Sequence, residues 1–120
     1  MTTIVVADDH KIVREGLVRL LQDREDFSVI GEAADGEEAV EVVLAKRPDV
    51  VIMDLWMPRL GGIDATRRLG KRGSSAKGVV RSRHESRSYV EEVLRAGASG
   101  YVVKAAAPSD LIHAIDAVQA

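Results

Sequence analysis

The sequence predicts an α/β fold: a doubly wound, five-stranded parallel sheet in the order 2-1-3-4-5, with five helices. Two observations carry this. Short β-branched runs alternate five times with segments of helical period, and cap or breaker residues punctuate the changes. Repeated strand-then-helix units imply right-handed crossovers, and these lay helices over both faces of a parallel sheet.

The elements follow in order. Ile4 to Ala7 reads as a buried strand, and Val13, Leu17, Leu20 and Leu21 then recur at helix-face spacing. Phe27 to Ala34 is the second strand. Asp35 caps the next helix, with Glu38 three residues on as a capping box, Ala39, Val40, Val43 and Leu44 facing inward, and Pro48 marking its end. Val50 to Met53 is the third strand, followed by a short helix with Ile63, Thr66 and Leu69 on one side. Val79 and Val80 centre a weaker fourth strand after the loop-like "GKRGSSAKG". Tyr89, Val90, Val93 and Leu94 define a helix that Gly97 terminates; Tyr101 to Val103 form the fifth strand. Pro108 opens the last helix, with Leu111, Ile112, Ile115 and Val118 facing in.

At 120 residues with 46% hydrophobic composition, residues 1–120 suit one domain with its own core, and any second domain is expected beyond Ala120. There is no cysteine, which excludes disulfides and thiolate metal sites, and the three histidines (His10, His84, His113) are scattered in sequence. No stretch approaches transmembrane length and the start resembles no signal peptide, so a soluble, cytoplasmic protein with no membrane partner is expected. A net charge of −2 gives no global attraction to nucleic acid.

In such a sheet, ligands bind outside the carboxyl ends of the strands. The polar residues there are Asp8 and Asp9 after strand one, Asp54 after strand three, Ser82 after strand four and Lys104 after strand five. If the order is 2-1-3-4-5, strands one and three are neighbours and three carboxylates converge, and they repel unless a cation sits among them. All-oxygen ligands favour Mg²⁺ or a similar hard ion. Lys104 adds a point charge suited to a phosphoryl oxygen and Ser82 a hydroxyl donor. An aspartate nucleophile, a metal and a lysine are the parts needed to accept a phosphoryl group as an acyl phosphate. Taken singly, each residue has a plainer explanation: Asp9 as a helix cap, Lys104 as a solvated lysine, Ser82 as no signal at all. Their joint placement is what points to phosphoryl chemistry.

On "VVADDH" at 5 to 10, "DLWMP" at 54 to 58, "GG" at 61 and 62, Ser82 and "AGASGYVVK" at 96 to 104, the chain resembles the receiver domains of two-component response regulators. It is most similar to those of the NarL/FixJ (LuxR-type) kind, through "DDHKIVREGL", "GEAADGEEAV" and "RAGASGYVVKAAAPSDLIHAI". The resemblance implies the flavodoxin-like, CheY-like form of the fold. It implies Asp54 as phosphoacceptor from a sensor histidine kinase, Asp9 and Asp54 as direct Mg²⁺ ligands, Asp8 as a ligand through water, and a ligating backbone carbonyl at Trp56. Ser82 and Lys104 are implied to grip the phosphoryl group, and Tyr101 to be the switch aromatic. It further implies homodimerisation on phosphorylation, transcription control through a C-terminal helix-turn-helix DNA-binding domain not present in this chain, and no enzymatic activity beyond the domain's own phosphorylation and dephosphorylation. The alternatives within the family are a stand-alone receiver acting by protein contact and a pseudo-receiver with impaired switching.

Two other classes fit less well. Aspartyl phosphohydrolases carry a second acid two residues after the nucleophile, where this chain has Trp56, and a nucleotide or flavin binder needs a phosphate loop where Asp8 and Asp9 stand. Some positions depart from the receiver pattern. Arg81 precedes Ser82, where an aliphatic residue is usual. Ala105 follows Lys104 in place of the common proline, so a cis bond there would cost about 2.5–4 kcal/mol. Residues 65 to 84 hold seven basic side chains and no acid, which reads as a solvated face. A strand covered on both faces should be apolar, so Arg81 is expected to snorkel or find an acid, and the strand to shift or shorten rather than bury it. The stretch from Gly73 to Ser88 is expected to be the least stable part, with a mobile loop from Ser82 to Ser88.

Overall fold

In the computed structural model, strands and helices alternate without exception: β1 (Thr2–Ala7), α1 (Lys11–Gln22), β2 (Phe27–Ala33), α2 (Gly36–Lys46), β3 (Val50–Asp54), α3 (Gly62–Lys71), β4 (Lys77–Ser82), α4 (Arg87–Arg95), β5 (Gly100–Val103) and α5 (Pro108–Gln119). The five strands form one sheet in the order β2-β1-β3-β4-β5, all pairs parallel, as the sequence predicts. The structure describes every residue except 84–86 and 105, and of Arg87 the backbone alone. Most of the loop expected to be mobile, His84 and the Lys104–Ala105 peptide therefore lie outside the described residues.

Period-two alternation divides the core. Ile4 and Val6, Val50 and Ile52, Val79 and Val102 face one way and pack against Leu17 and Leu21 of α1 and Leu111 and Ile115 of α5. Their neighbours Val5, Ala7, Val51 and Met53 face the other way, onto Ala39, Val40 and Val43 of α2 and Ala65 and Leu69 of α3. Val80 packs beside them with Leu55, with Val93 of α4 and with Ala98. Each fully buried Val, Leu or Ile contributes about 1.5–3 kcal/mol of transfer free energy, so both layers are needed to offset chain entropy.

Several expectations need correction. Val13 and Leu94 are exposed. The first turn of α1 stands at the carboxyl edge of the sheet, and there Arg14, not Val13, turns inward, to the Asp8 carbonyl (2.7 Å) and to Glu32 (3.0 Å). In α4 the inward row is Tyr89 and Val93, continued by Ala96 just past the helix end, and Leu94 lies a further 100° around the helix. Asp35 does cap α2, accepting the Glu38 N–H at 2.8 Å, but the Glu38 carboxylate reaches one residue further back, to the Ala34 N–H (2.7 Å). The largest correction concerns β4. It neither shifts nor shortens: it runs six residues, the first five of them in unbroken register with β3, Asp54 opposite Arg81, and takes Arg81 inside.

Candidate functional site

The carboxyl edge of the sheet assembles the site because strand alternation continues past the last core residues. Ile4 and Val6 lead to Asp8, Val50 and Ile52 to Asp54, Val79 to Arg81, and Val102 to Lys104, so these four side chains start from the face covered by α1 and α5. Asp54 itself is only 2% exposed, the last residue of the central strand. The Lys104 ammonium donates to its Oδ2 at 2.7 Å, and the Trp56 N–H approaches Oδ1 at 3.3 Å. A carboxylate buried this far is tolerable only with such donors around it.

Asp8 is fully buried and Asp9 is 31% exposed. Oδ1 of Asp8 accepts the His10 N–H at 2.9 Å, which folds the chain sharply between β1 and α1. Nδ1 of His10 lies 3.2 Å from Asp9 and 3.5 Å from Asp8. Ligand atoms of Asp8, Asp9, His10 and Asp54 all lie within 4.8 Å of one another. Three carboxylates at this spacing fit a hard divalent cation such as Mg²⁺, and one imidazole at the rim does not alter that preference.

The loop after β3 is shaped by a close approach. Gly62 opens α3 with its N–H on the Leu55 carbonyl (2.9 Å), and a Cβ there would collide with the carbonyl oxygen of Asp54 and lie 3.1 Å from Leu55 Cα. The second glycine of the "GG" is thus a packing requirement behind the candidate acceptor. Arg59, in the same loop with φ 67°, pairs with the Asp35 carboxylate at 3.0 Å. The Glu38 N–H, assisted by Arg59, holds the Asp35 carboxyl below its ordinary value.

Ser82 is buried at the end of β4, and its carbonyl accepts the Lys104 N–H at 2.7 Å, tying the two loops together. Trp56 exposes its indole to solvent at 56% and meets Tyr89 edge-on, with ring centroids 6.0 Å apart. Tyr101 is half-buried against the Val80 and Val93 cluster. The structure therefore brings Asp8, Asp9, Asp54 and Lys104 into direct proximity, with Ser82 and Trp56 joined to them through the backbone and Tyr101 one layer away. His10 is an unexpected participant, whereas an acid partner for Arg81 is one of the two expected outcomes, with only its identity left open by the sequence. His10 follows the acidic pair directly, so its position was a usable signal. The partner of Arg81 is Asp8, with Nη1 3.3 Å from Oδ2 and the Arg81 side chain 11% exposed.

Comparison with known proteins accords with this geometry. Residues 4–116 match the response regulator receiver domain. The chain is 44% identical over 115 residues to the transcriptional regulatory protein DegU of Brevibacillus brevis, covering 96% of this chain and 49% of DegU. It is 38% identical over 118 residues to the response regulator UvrY of Escherichia coli K12, covering 98% and 54%. The chain thus spans about half the length of the curated relatives it matches. A LuxR-family two-component response regulator from Aurantimonas sp. SI85-9A1 superposes with a TM-score of 0.94 at 40% identity, over 98% of this chain and 84% of that one. A match over nearly the whole chain means that this chain belongs to the response regulator receiver domain family.

Proposed function

We propose that residues 1–120 form a phosphoacceptor receiver domain in which Asp54 takes a phosphoryl group from a sensor histidine kinase. The observation that carries this is the Lys104–Asp54 contact of 2.7 Å, at the end of a buried central strand and within reach of Asp8 and Asp9. A carboxylate oxygen of Asp54 attacks phosphorus, the P–N bond to the kinase imidazole breaks, and an acyl phosphate forms. Lys104 moves from the carboxylate to a phosphoryl oxygen, and the Ser82 hydroxyl donates to another. Asp9, Asp54 and the Trp56 carbonyl, with Asp8 through water, would hold Mg²⁺, which when bound would supply charge neutralisation at the phosphoryl oxygens. The domain acts on its own phosphorylation state and on no separate substrate.

The same reading extends to output. The Lys104 N–H on the Ser82 carbonyl couples β5 to β4, so a pull on either loop reaches Tyr101 and the α4–β5–α5 surface. Phosphorylation biases that surface only through contacts that differ between two states. Homodimerisation and control of a C-terminal DNA-binding segment, beyond this chain, are the outputs this supports, in keeping with one relative named a transcriptional regulatory protein.

The test is incubation with acetyl phosphate and Mg²⁺. A base-labile, acid-resistant phosphoryl adduct is expected on the parent and absent from Asp54→Asn, which keeps shape while removing the nucleophile. An adduct of undiminished yield in that variant would show that the acceptor lies elsewhere.

A further inference from the structure

Arg81 has no part in phosphoryl transfer as derived above, yet its guanidinium points into the acidic cluster. It starts from the same sheet face as Asp8 and Asp54 and stands opposite Asp54 in the β3–β4 register. Its Nη1 reaches Oδ2 of Asp8, while Oδ1 of Asp8 is taken by the His10 N–H. Both oxygens of this fully buried carboxylate are therefore engaged by the chain's own donors. We propose that Arg81 is an internal counter-cation that competes with the divalent cation for Asp8 and so sets the metal affinity of the site.

Three features of the pair support competition over a fixed structural bridge. It is a single contact at 3.3 Å, where good charge-assisted pairs measure about 2.7–2.9 Å and arginine at its best binds through two parallel bonds. A guanidinium does not lose its proton, so a cation entering the cluster meets a permanent positive charge that must move aside. There is space for it to move. A cavity of about 140 Å³ adjoins Arg81, lined by Leu17, Leu20, Val102, Lys104 and Leu111 among others, and an arginine stem can repack along such apolar walls.

The consequence is specific to this chain. Asp8 needs a positive charge at all times, because a buried carboxylate left alone is strongly unfavourable. Arg81 supplies it when no metal does. Metal binding then exchanges one cation for another instead of adding the first, which weakens it. It also ties metal occupancy to the residue immediately before Ser82.

This inference rests on the proposed Mg²⁺ site, and the experiment separates the two. Trp56, the chain's only tryptophan, lies two residues from Asp54 and gives a fluorescence signal for Mg²⁺ titration without any phosphoryl donor, with calorimetry as an independent readout. Arg81→Leu should tighten Mg²⁺ binding by about tenfold or more, the scale at which residues beside metal ligands act. It should also enlarge the rise in melting temperature that Mg²⁺ produces. Arg81→Gln, which keeps a hydrogen-bond donor for Asp8 but no charge, should tighten binding as well and serves if the leucine variant fails to fold. In an Asp8→Asn background the effect of removing Arg81 should vanish. If folded Arg81→Leu and Arg81→Gln proteins bind Mg²⁺ within about twofold of the parent, where a tenfold change is expected, Arg81 is a structural bridge only and the competition is overturned while the metal site stands. If neither parent nor variants bind Mg²⁺, the metal site fails and the inference falls with it.

Discussion

Replacing Gly62 by alanine adds one methyl group at a place where every obstacle is backbone. The added Cβ would collide with the carbonyl oxygen of Asp54 and lie 3.1 Å from both the Asp54 carbonyl carbon and Leu55 Cα. None of these atoms can swing aside as a side-chain tip would, so either α3 tilts away from the sheet or β3 is pushed back at its last residue. Overpacking of this kind costs about 1–3 kcal/mol, and rigid neighbours place Gly62→Ala at the upper end, about 3 kcal/mol. Gly70 supplies an internal control in the same helix. A Cβ there meets nothing within 4 Å, so Gly70→Ala should stabilise by about 0.5–1 kcal/mol through lost unfolded-chain entropy alone. In urea, with a slope of about 1.5 kcal/mol per molar for a domain of this size, the two midpoints should separate by more than about 2 M, one falling and the other rising. Gly62→Ala should also slow phosphorylation from acetyl phosphate, because relief of the clash displaces the acceptor itself. Equal midpoints for the two variants would show that the loop after β3 yields freely and that Gly62 is not a constraint on Asp54.

Two further outcomes follow from the helix ends. Arg47 closes α2 in the left-handed conformation at φ 50°, so Arg47→Gly should raise stability by about 1 kcal/mol, read as a higher thermal midpoint; no change would mean that the arginine side chain compensates. Asp35 has its folded-state pKa held below the unfolded value, so its contribution is complete above about pH 4 and disappears as pH falls through the depressed folded value. Acid titration of stability should accordingly lose part of its slope below pH 4 in Asp35→Asn, and an unaltered slope would show that the Glu38 N–H and Arg59 contribute nothing to folding.

The fold was legible because two periods and their punctuation suffice for it. Residues such as Val50 to Met53 or Leu111 and Ile115 announce strand and helix by spacing alone, and the crossover rule gives the covered parallel sheet, whose order 2-1-3-4-5 is one of the doubly wound arrangements that obey it. Asp54 and Lys104 were legible as strand-end residues, and the family resemblance gave them roles. The pairing of Arg81 was not, because a partner 73 positions away becomes visible only when β1, β3 and β4 are laid side by side with their faces assigned. The expected shift of β4 assumed that a buried guanidinium would find no acid, and Asp8 removes that premise. His10 is hidden for the opposite reason: three histidines scattered along the chain form no cluster with one another, and the partners of this one are the acids directly beside it. Val13 shows where helical period stops being informative, at a first turn that stands at the edge of the sheet, and Leu94 shows that the residue next to an inward row can already lie outside the buried face.

The division of the core by the sheet has a consequence for how the sequence can change. Val51 and Ile52 are covalent neighbours, yet one packs with Ala65 and Leu69 and the other with Leu21 and Ile115. Epistasis should therefore run across faces of packed elements and not along the chain, since coupling energies concentrate among residues in contact. A lineage could repack the layer beneath α2 and α3 through many substitutions without disturbing the opposite layer, whose alternate strand positions lead to Asp8, Arg81 and Asp54. Drift on one side and constraint on the other can then coexist within a single 120-residue domain.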